Sequence, residues 1–121
     1  MNNPAGTGKR AEQTACNYLR EKGLTLLESN YFCPRGEIDL IMRDVDTTVF
    51  VEVRYRRSNR YGSGAESVDR HKQGKLLATA AHYLQRHPRA ARGVCRFDVV
   101  AISSDNEQQK LDWISDAFQS A

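Results

Sequence analysis

The sequence predicts one α/β domain, ordered helix, three strands, crossover helix and one or two further strands, with helices flanking a mixed sheet of four to five strands. Three observations predict it. Apolar residues recur at helical spacing near the start and again over residues 67–87; short apolar runs with two-residue alternation lie between and after them; and a helix of about 20 residues joins two of those runs, long enough for a parallel crossover. The length of 121 residues suits one domain, and at that size folding buries roughly two-thirds of the unfolded surface. Such a core needs neither disulfide staples nor a structural metal.

The first helix is read from about Gly8 to Lys22, on Ala11, Ala15, Tyr18 and Leu19, with Thr7 as N-cap and Gly23 where a helix end favours a left-handed residue. Leu24 to Phe32 is a strand, broken by Pro34, Arg35 and Gly36. In the next strand, Glu37 to Arg43, alternation puts Ile38, Leu40 and Met42 on one face and Glu37, Asp39 and Ile41 on the other. A third strand runs from about Thr48 to Arg57, with Val49, Val51, Val53 and Tyr55 opposite Phe50, Glu52, Arg54 and Arg56. The short polar link Asp44 to Thr47 makes these two an antiparallel hairpin. Ser58 to Glu66, with Gly62 and Gly64, has the composition of a loop. The second helix extends from about Ser67 to His87, where Pro88 stops it, and Val94 to Ile102 reads as a strand covered on both faces. The tail carries Leu111, Trp113 and Ile114 as a short strand followed by a frayed or helical end.

Composition excludes several classes. No run approaches the roughly 18 apolar residues of a membrane helix, and MNNPAGTGKR lacks the apolar middle of a secretory signal, which predicts the cytoplasm. Cys16, Cys33 and Cys95 are widely spaced and form no C-x-x-C pair, so they read as reduced packing thiols. The net charge of +3 hides an asymmetry: Arg54 to Arg96 holds eleven Lys or Arg against Glu66 and Asp69, while Asp98 to Ala121 holds five acids against Lys110. A local field of that sign attracts polyanions, and nucleic acid is the commonest of these in a cytoplasm. A solvated basic helix face would carry the same residues.

Asp39 sits mid-strand, and Glu52 and Arg54 lie on the neighbouring strand two residues apart, so all three can face one side of the sheet. Burying a carboxylate costs several kcal/mol unless it is paired or ligates a metal, and two on adjacent strands ask for a positive partner. Mg²⁺, or Mn²⁺ in its place, supplies that charge; Mg²⁺ takes one or two carboxylates and leaves its other positions to water and phosphate oxygens. In phosphodiester hydrolysis such an ion polarises the phosphoryl group and generates hydroxide while a cation stabilises the developing charge. The plainer alternative is that Asp39 and Glu52 pair with Arg54 or Arg56 on a solvent-exposed face.

GEIDLIMR at 36–43, TVFVEVRYRRS at 48–58 and CRFDVVAI at 95–102 resemble the YraN family of small bacterial proteins, as do GKRAE at 8–12, AESV at 65–68 and WISDAF at 113–118. The resemblance implies a restriction-endonuclease-like core similar to archaeal Holliday-junction resolvases, whose nucleases carry a D-x(n)-[DE]-x-K metal site and work as dimers. Asp39 then matches the first acid and Glu52 the second, these two being the implied metal ligands. Glu12 matches an acid on the first helix that often completes such sites, and Lys72 falls where the family places a lysine on the second helix. Arg54 stands in the motif's lysine position. Arginine offers positive charge and a phosphate fork but does not deprotonate. Three outcomes follow: Arg54 acts electrostatically, Lys72 takes the lysine's role, or the site binds without cutting.

The leading expectation is Mg²⁺-dependent nuclease-like action on DNA or another nucleic acid, branched forms included, by Glu12, Asp39, Glu52, Arg54 and Lys72, with Arg56, Arg57, Arg60 and Lys75 tracking the backbone. Its competitors are a nucleic-acid-binding module with a degenerate site and an interaction domain for an acidic protein. Tyr55 and Tyr61 interleave with the arginines, although Tyr55 falls on the apolar face. Glu37 is either a third ligand or a turn-adjacent surface acid. His71, His82 and His87 read as surface residues, and Asp98 as an internal ion pair with Arg96 or Arg35.

Overall fold

The structure is a computed structural model and describes residues 4–56, 68–105 and 108–119. Its elements are α1 (Pro4–Glu21), β1 (Thr25–Cys33), β2 (Gly36–Asp44), β3 (Thr47–Arg56), α2 (Arg70–Arg86), α3 (Pro88–Arg92), β4 (Cys95–Asp105) and β5 (Gln108–Phe118). The five strands form one mixed sheet in sequence order, β1 to β5. Only β3 and β4 are parallel, joined by the α2–α3 crossover; the other pairs are antiparallel. This is the α/β arrangement the sequence predicts, with the restriction-endonuclease-like order of elements that the motifs imply.

Helices cover both faces. On one, Ala11, Ala15, Cys16 and Leu19 of α1 pack on Leu40, Met42, Val49, Val51, Val100 and Ile102. On the other, Leu76, Ala80 and Tyr83 of α2 pack on Ile41, Phe50, Phe97 and Val99. Alternation along β2 and β3 therefore serves two cores, as a sheet buried on both sides requires. It fails at Ile38, which joins the α2 core rather than the side of Leu40 and Met42. The β2–β3 ladder begins only at Leu40, so the backbone ahead of it is free to turn.

Several boundaries differ from expectation. Helix α1 starts at Pro4, placing Thr7 inside it, and ends as predicted at Gly23 (φ 100°). There Leu24 N–H donates to Leu19 O and Gly23 N–H to Arg20 O, a Schellman pair. Helix α2 starts at Arg70 because the Asp69 side chain accepts from Lys72 N–H at 2.9 Å and caps it. Pro88 does stop α2 but also opens α3, where a first-turn proline loses no hydrogen bond. The tail is a full strand, β5, paired to β4 from Asp105↔Gln108 to Phe97↔Phe118. Its polar side chains suit a sheet edge and hide its period from the sequence.

Single residues also shift. Tyr55 is 40% exposed, near the end of β3, not part of the core. Cys16 and Cys33 are buried free thiols, whereas Cys95 is exposed. His82 and His87 are half-buried and engaged: His82 Nδ1 lies 2.6 Å from Tyr31 Oη, and His87 stacks on Tyr83 at 3.8 Å. Asp98 pairs with Arg96 rather than Arg35. No helix among the described residues is long and apolar enough to cross a membrane. Arg57, Arg60, Tyr61 and the 58–66 loop lie outside the described residues.

Candidate active site

The site forms where β2 and β3 part. Their register runs from Asp44↔Thr47 to Leu40↔Val51 and stops, although one further step would set Asp39 opposite Glu52. There the Asp39 side chain replaces the ladder: Val53 N–H donates to Asp39 Oδ2 at 2.8 Å. On the β1 side, Asn30 takes a left-handed conformation (φ 53°) between the pairs Ser29↔Leu40 and Tyr31↔Ile38. Gly36 lets β2 start close beneath α2, since a Cβ at that position would lie 3.1 Å from Thr79 Oγ1.

Asp39 and Glu52 converge. Burial pushes the Asp39 carboxyl up most; repulsion from Glu52 adds, the Val53 N–H pulls it down, and hydrogen bonding with the Glu52 side chain and the charge of Glu12 raise it further, to about 8. Glu52 is only 4% exposed and holds two cations: Arg54 Nη1 at 3.3 Å and Lys72 Nζ at 3.4 Å from its Oε2. The two-residue spacing on β3 puts Glu52 and Arg54 on the α2 side of the sheet, and the capped first turn of α2 brings Lys72 over them. Four of the five predicted catalytic residues are thus together; of the plainer alternative, the pairing of Glu52 with Arg54 is present, but not on an exposed face, since Glu52 is buried.

Glu12 comes from α1 and accepts from Asn30 Nδ2 at 2.8 Å; the same nitrogen reaches Glu37 Oε1 at 3.2 Å. Asn30 therefore ties the two outer acids together at the β1 edge, next to Asp39. Sequence reasoning missed Asn30; its one signal is an asparagine amid strand residues, a type that tolerates the left-handed region. Lys75 is exposed one turn beyond Lys72, and Arg56 ends β3 half-buried.

Among the described residues no three His, Cys, Asp or Glu side chains gather tightly enough to hold an ion by themselves. Two carboxylates suffice for Mg²⁺, which keeps most of its waters. The donor set fits such an ion: two converging carboxyls offer hard oxygens, and burial together with the neighbouring Glu52 disfavours the negative charge on Asp39 that a cation would stabilise.

The fold and site define an α/β protein whose mixed sheet opens between two strands at an acidic pair flanked by basic side chains. The sequence model of the uncharacterised protein family UPF0102 matches residues 11–102, a span that contains Glu12, Asp39, Glu52, Arg54 and Lys72. The chain is 50% identical over 112 residues to a UPF0102 protein of Nitrosococcus oceani, covering 93% of this chain and 90% of that one. It is 49% identical over 120 residues to one of Stutzerimonas stutzeri, covering 99% and 100%, and 47% identical over 113 residues to one of Pseudomonas aeruginosa, covering 92% and 90%. The chain belongs to the UPF0102 family, the YraN family of the motif resemblance.

Proposed function

We propose that this protein is a Mg²⁺-dependent nuclease acting on nucleic acid, with DNA the leading substrate. One observation carries the reading: half-buried Asp39 and buried Glu52 meet, and each disfavours the charge of the other, with Arg54 and Lys72 beside them. Asp39 and Glu52 would hold the ion, which supplies an activated water and polarises the phosphoryl group when bound. Val53 N–H fixes the Asp39 oxygen that points along β3. Lys72 and Arg54 pair with Glu52 in the resting chain and would turn toward a phosphate as charge develops. Glu12, held by Asn30, orients water at the β1 edge, and Lys75, Arg56, Arg57 and Arg60 follow the backbone.

A second reading is a module that binds nucleic acid without cleaving it. Arg54 favours it, since a guanidinium cannot take the neutral-amine role of the motif's lysine. Incubation of labelled four-way junction, flap and single-stranded DNA with Mg²⁺ or Mn²⁺ decides between them. Cleavage lost in Asp39→Ala and Glu52→Ala supports the nuclease. Binding with a steep salt slope and no cutting supports the module, and no binding at low salt removes both.

A further inference from the structure

We propose that the arginine-lined cleft at the C-terminal end of α2 is a second phosphate-binding site, which grips a nucleic-acid strand away from the acidic pair. Its ligand class rests on the nucleic-acid reading above, but its residues are different. The cleft has a volume of about 860 Å³ and lies between the end of α2, α3 and the β2–β3 turn. Arg43, Arg86, Arg89 and Arg92 line it and all four are exposed, against the single acid Asp46. Among the described residues none of these four makes an ion pair, whereas Arg54 and Arg96 both do.

Four guanidiniums line one cleft that holds the single carboxylate Asp46, and none of the four is ion-paired among the described residues; the resulting positive field is relieved by an anion with several oxygens. The guanidinium fork matches phosphate and carboxylate alike, so the rest of the lining has to choose between them. The cleft is not purely polar. Leu27 and Val45, both exposed, form an apolar lip, and His87 lines the wall with one ring face stacked on Tyr83 at 3.8 Å and 13°. Guanidiniums beside apolar and ring surfaces suit a phosphate joined to sugar and base, and that mixture favours a nucleotide strand over an acidic peptide.

Helical geometry connects this cleft with the acidic site. Lys75 and Arg86 are eleven residues apart on α2, so they project within about 20° of one direction and about 16 Å apart along the axis. That distance is about five nucleotides of a B-form strand. A strand lying on the acidic pair can therefore follow this edge of α2 into the cleft.

The test measures anisotropy of a labelled 16-nucleotide strand and a 16-base-pair duplex across a salt series. Wild type is compared with the double variants Arg86→Ala/Arg89→Ala and Arg89→Ala/Arg92→Ala, whose folding is checked by Tm. Both variants are expected to bind at least tenfold more weakly, with a log–log salt slope smaller by about 2, and to keep the cleavage rate at saturating substrate. Unchanged affinity and slope would overturn the cleft while leaving the acidic site standing. Displacement of the strand from wild type by poly-glutamate, or by a free nucleoside monophosphate, as efficiently as by unlabelled DNA would also overturn it, pointing to an acidic protein or a small nucleotide. Arginine-dependent binding with no cleavage by wild type would support the cleft and contradict the nuclease. No strand binding by wild type would overturn both.

Discussion

Two aspartates in the same sheet, Asp98 and the half-buried Asp39, are treated in opposite ways. Asp98 on β4 is fully buried and accepts from Arg96 Nε at 3.0 Å, Trp113 Nε1 at 2.9 Å and Asp116 N–H at 2.9 Å. Arg96 also bonds Asp44 at 3.1 Å, so this cluster ties β4 to the end of β2 and to β5. Asp39 on β2 receives one backbone N–H and faces a second acid. An acid kept for stability is surrounded by donors, as at Asp98. An acid left short of them, at a place where two strands separate, marks a site that a cation can complete.

Substitution of each aspartate should sharpen the contrast. Asp98→Ala leaves Arg96 with Asp44 alone and strands the Trp113 N–H and the Asp116 N–H, and should cost about 3–5 kcal/mol, measured by urea unfolding. A loss below about 1 kcal/mol would break the comparison. Asp39→Asn should act with the opposite sign. Asn keeps an oxygen for Val53 N–H and cannot ionise. Because the folded carboxyl is raised to about 8 from an ordinary 3.8, the metal-free fold binds more protons than the unfolded chain between those values. Its stability therefore falls as pH rises through that window, and the contribution is lost above it. At pH 9 without metal, Asp39→Asn should be more stable than wild type by on the order of 1–3 kcal/mol, with a flatter dependence between pH 5 and 9. Equal slopes for the two proteins would contradict the frustrated pair.

Smaller effects separate the flanking cations. Lys72→Ala leaves the Asp69 cap intact, since the bond uses the backbone N–H, and should lower turnover roughly tenfold to a hundredfold with little change in Tm. Arg54→Lys should leave turnover within about threefold, because an ammonium neutralises Glu52 as a guanidinium does. A rise of about tenfold or more would assign the neutral-amine role to that position instead.

Much of this architecture was legible in the chain. Alternation and two-residue spacing suffice to place Glu52 and Arg54 on one face, and the length of the 67–87 segment implies the parallel crossover. What escaped depends on non-local packing. The twist that sends Ile38 to the α2 core, the gap that lets Asp39 replace a ladder bond, and the left-handed Asn30 are set where β1, β2 and β3 meet. Strand β5 is masked by Asp112, Asp116 and Lys110, which an edge tolerates. The four cleft arginines show in the charge count, yet only the fold brings Arg43 of β2 beside Arg86, Arg89 and Arg92.

Calorimetric titration of Mg²⁺ and Mn²⁺ into the metal-free protein at pH 7, in buffers of different ionisation enthalpy, tests the central claim most directly. One ion per chain should bind, releasing close to one proton as Asp39 ionises, with affinity rising toward pH 8 and no binding in Asp39→Asn or Glu52→Gln. Binding that persists in both variants, or none in the wild type, would contradict it.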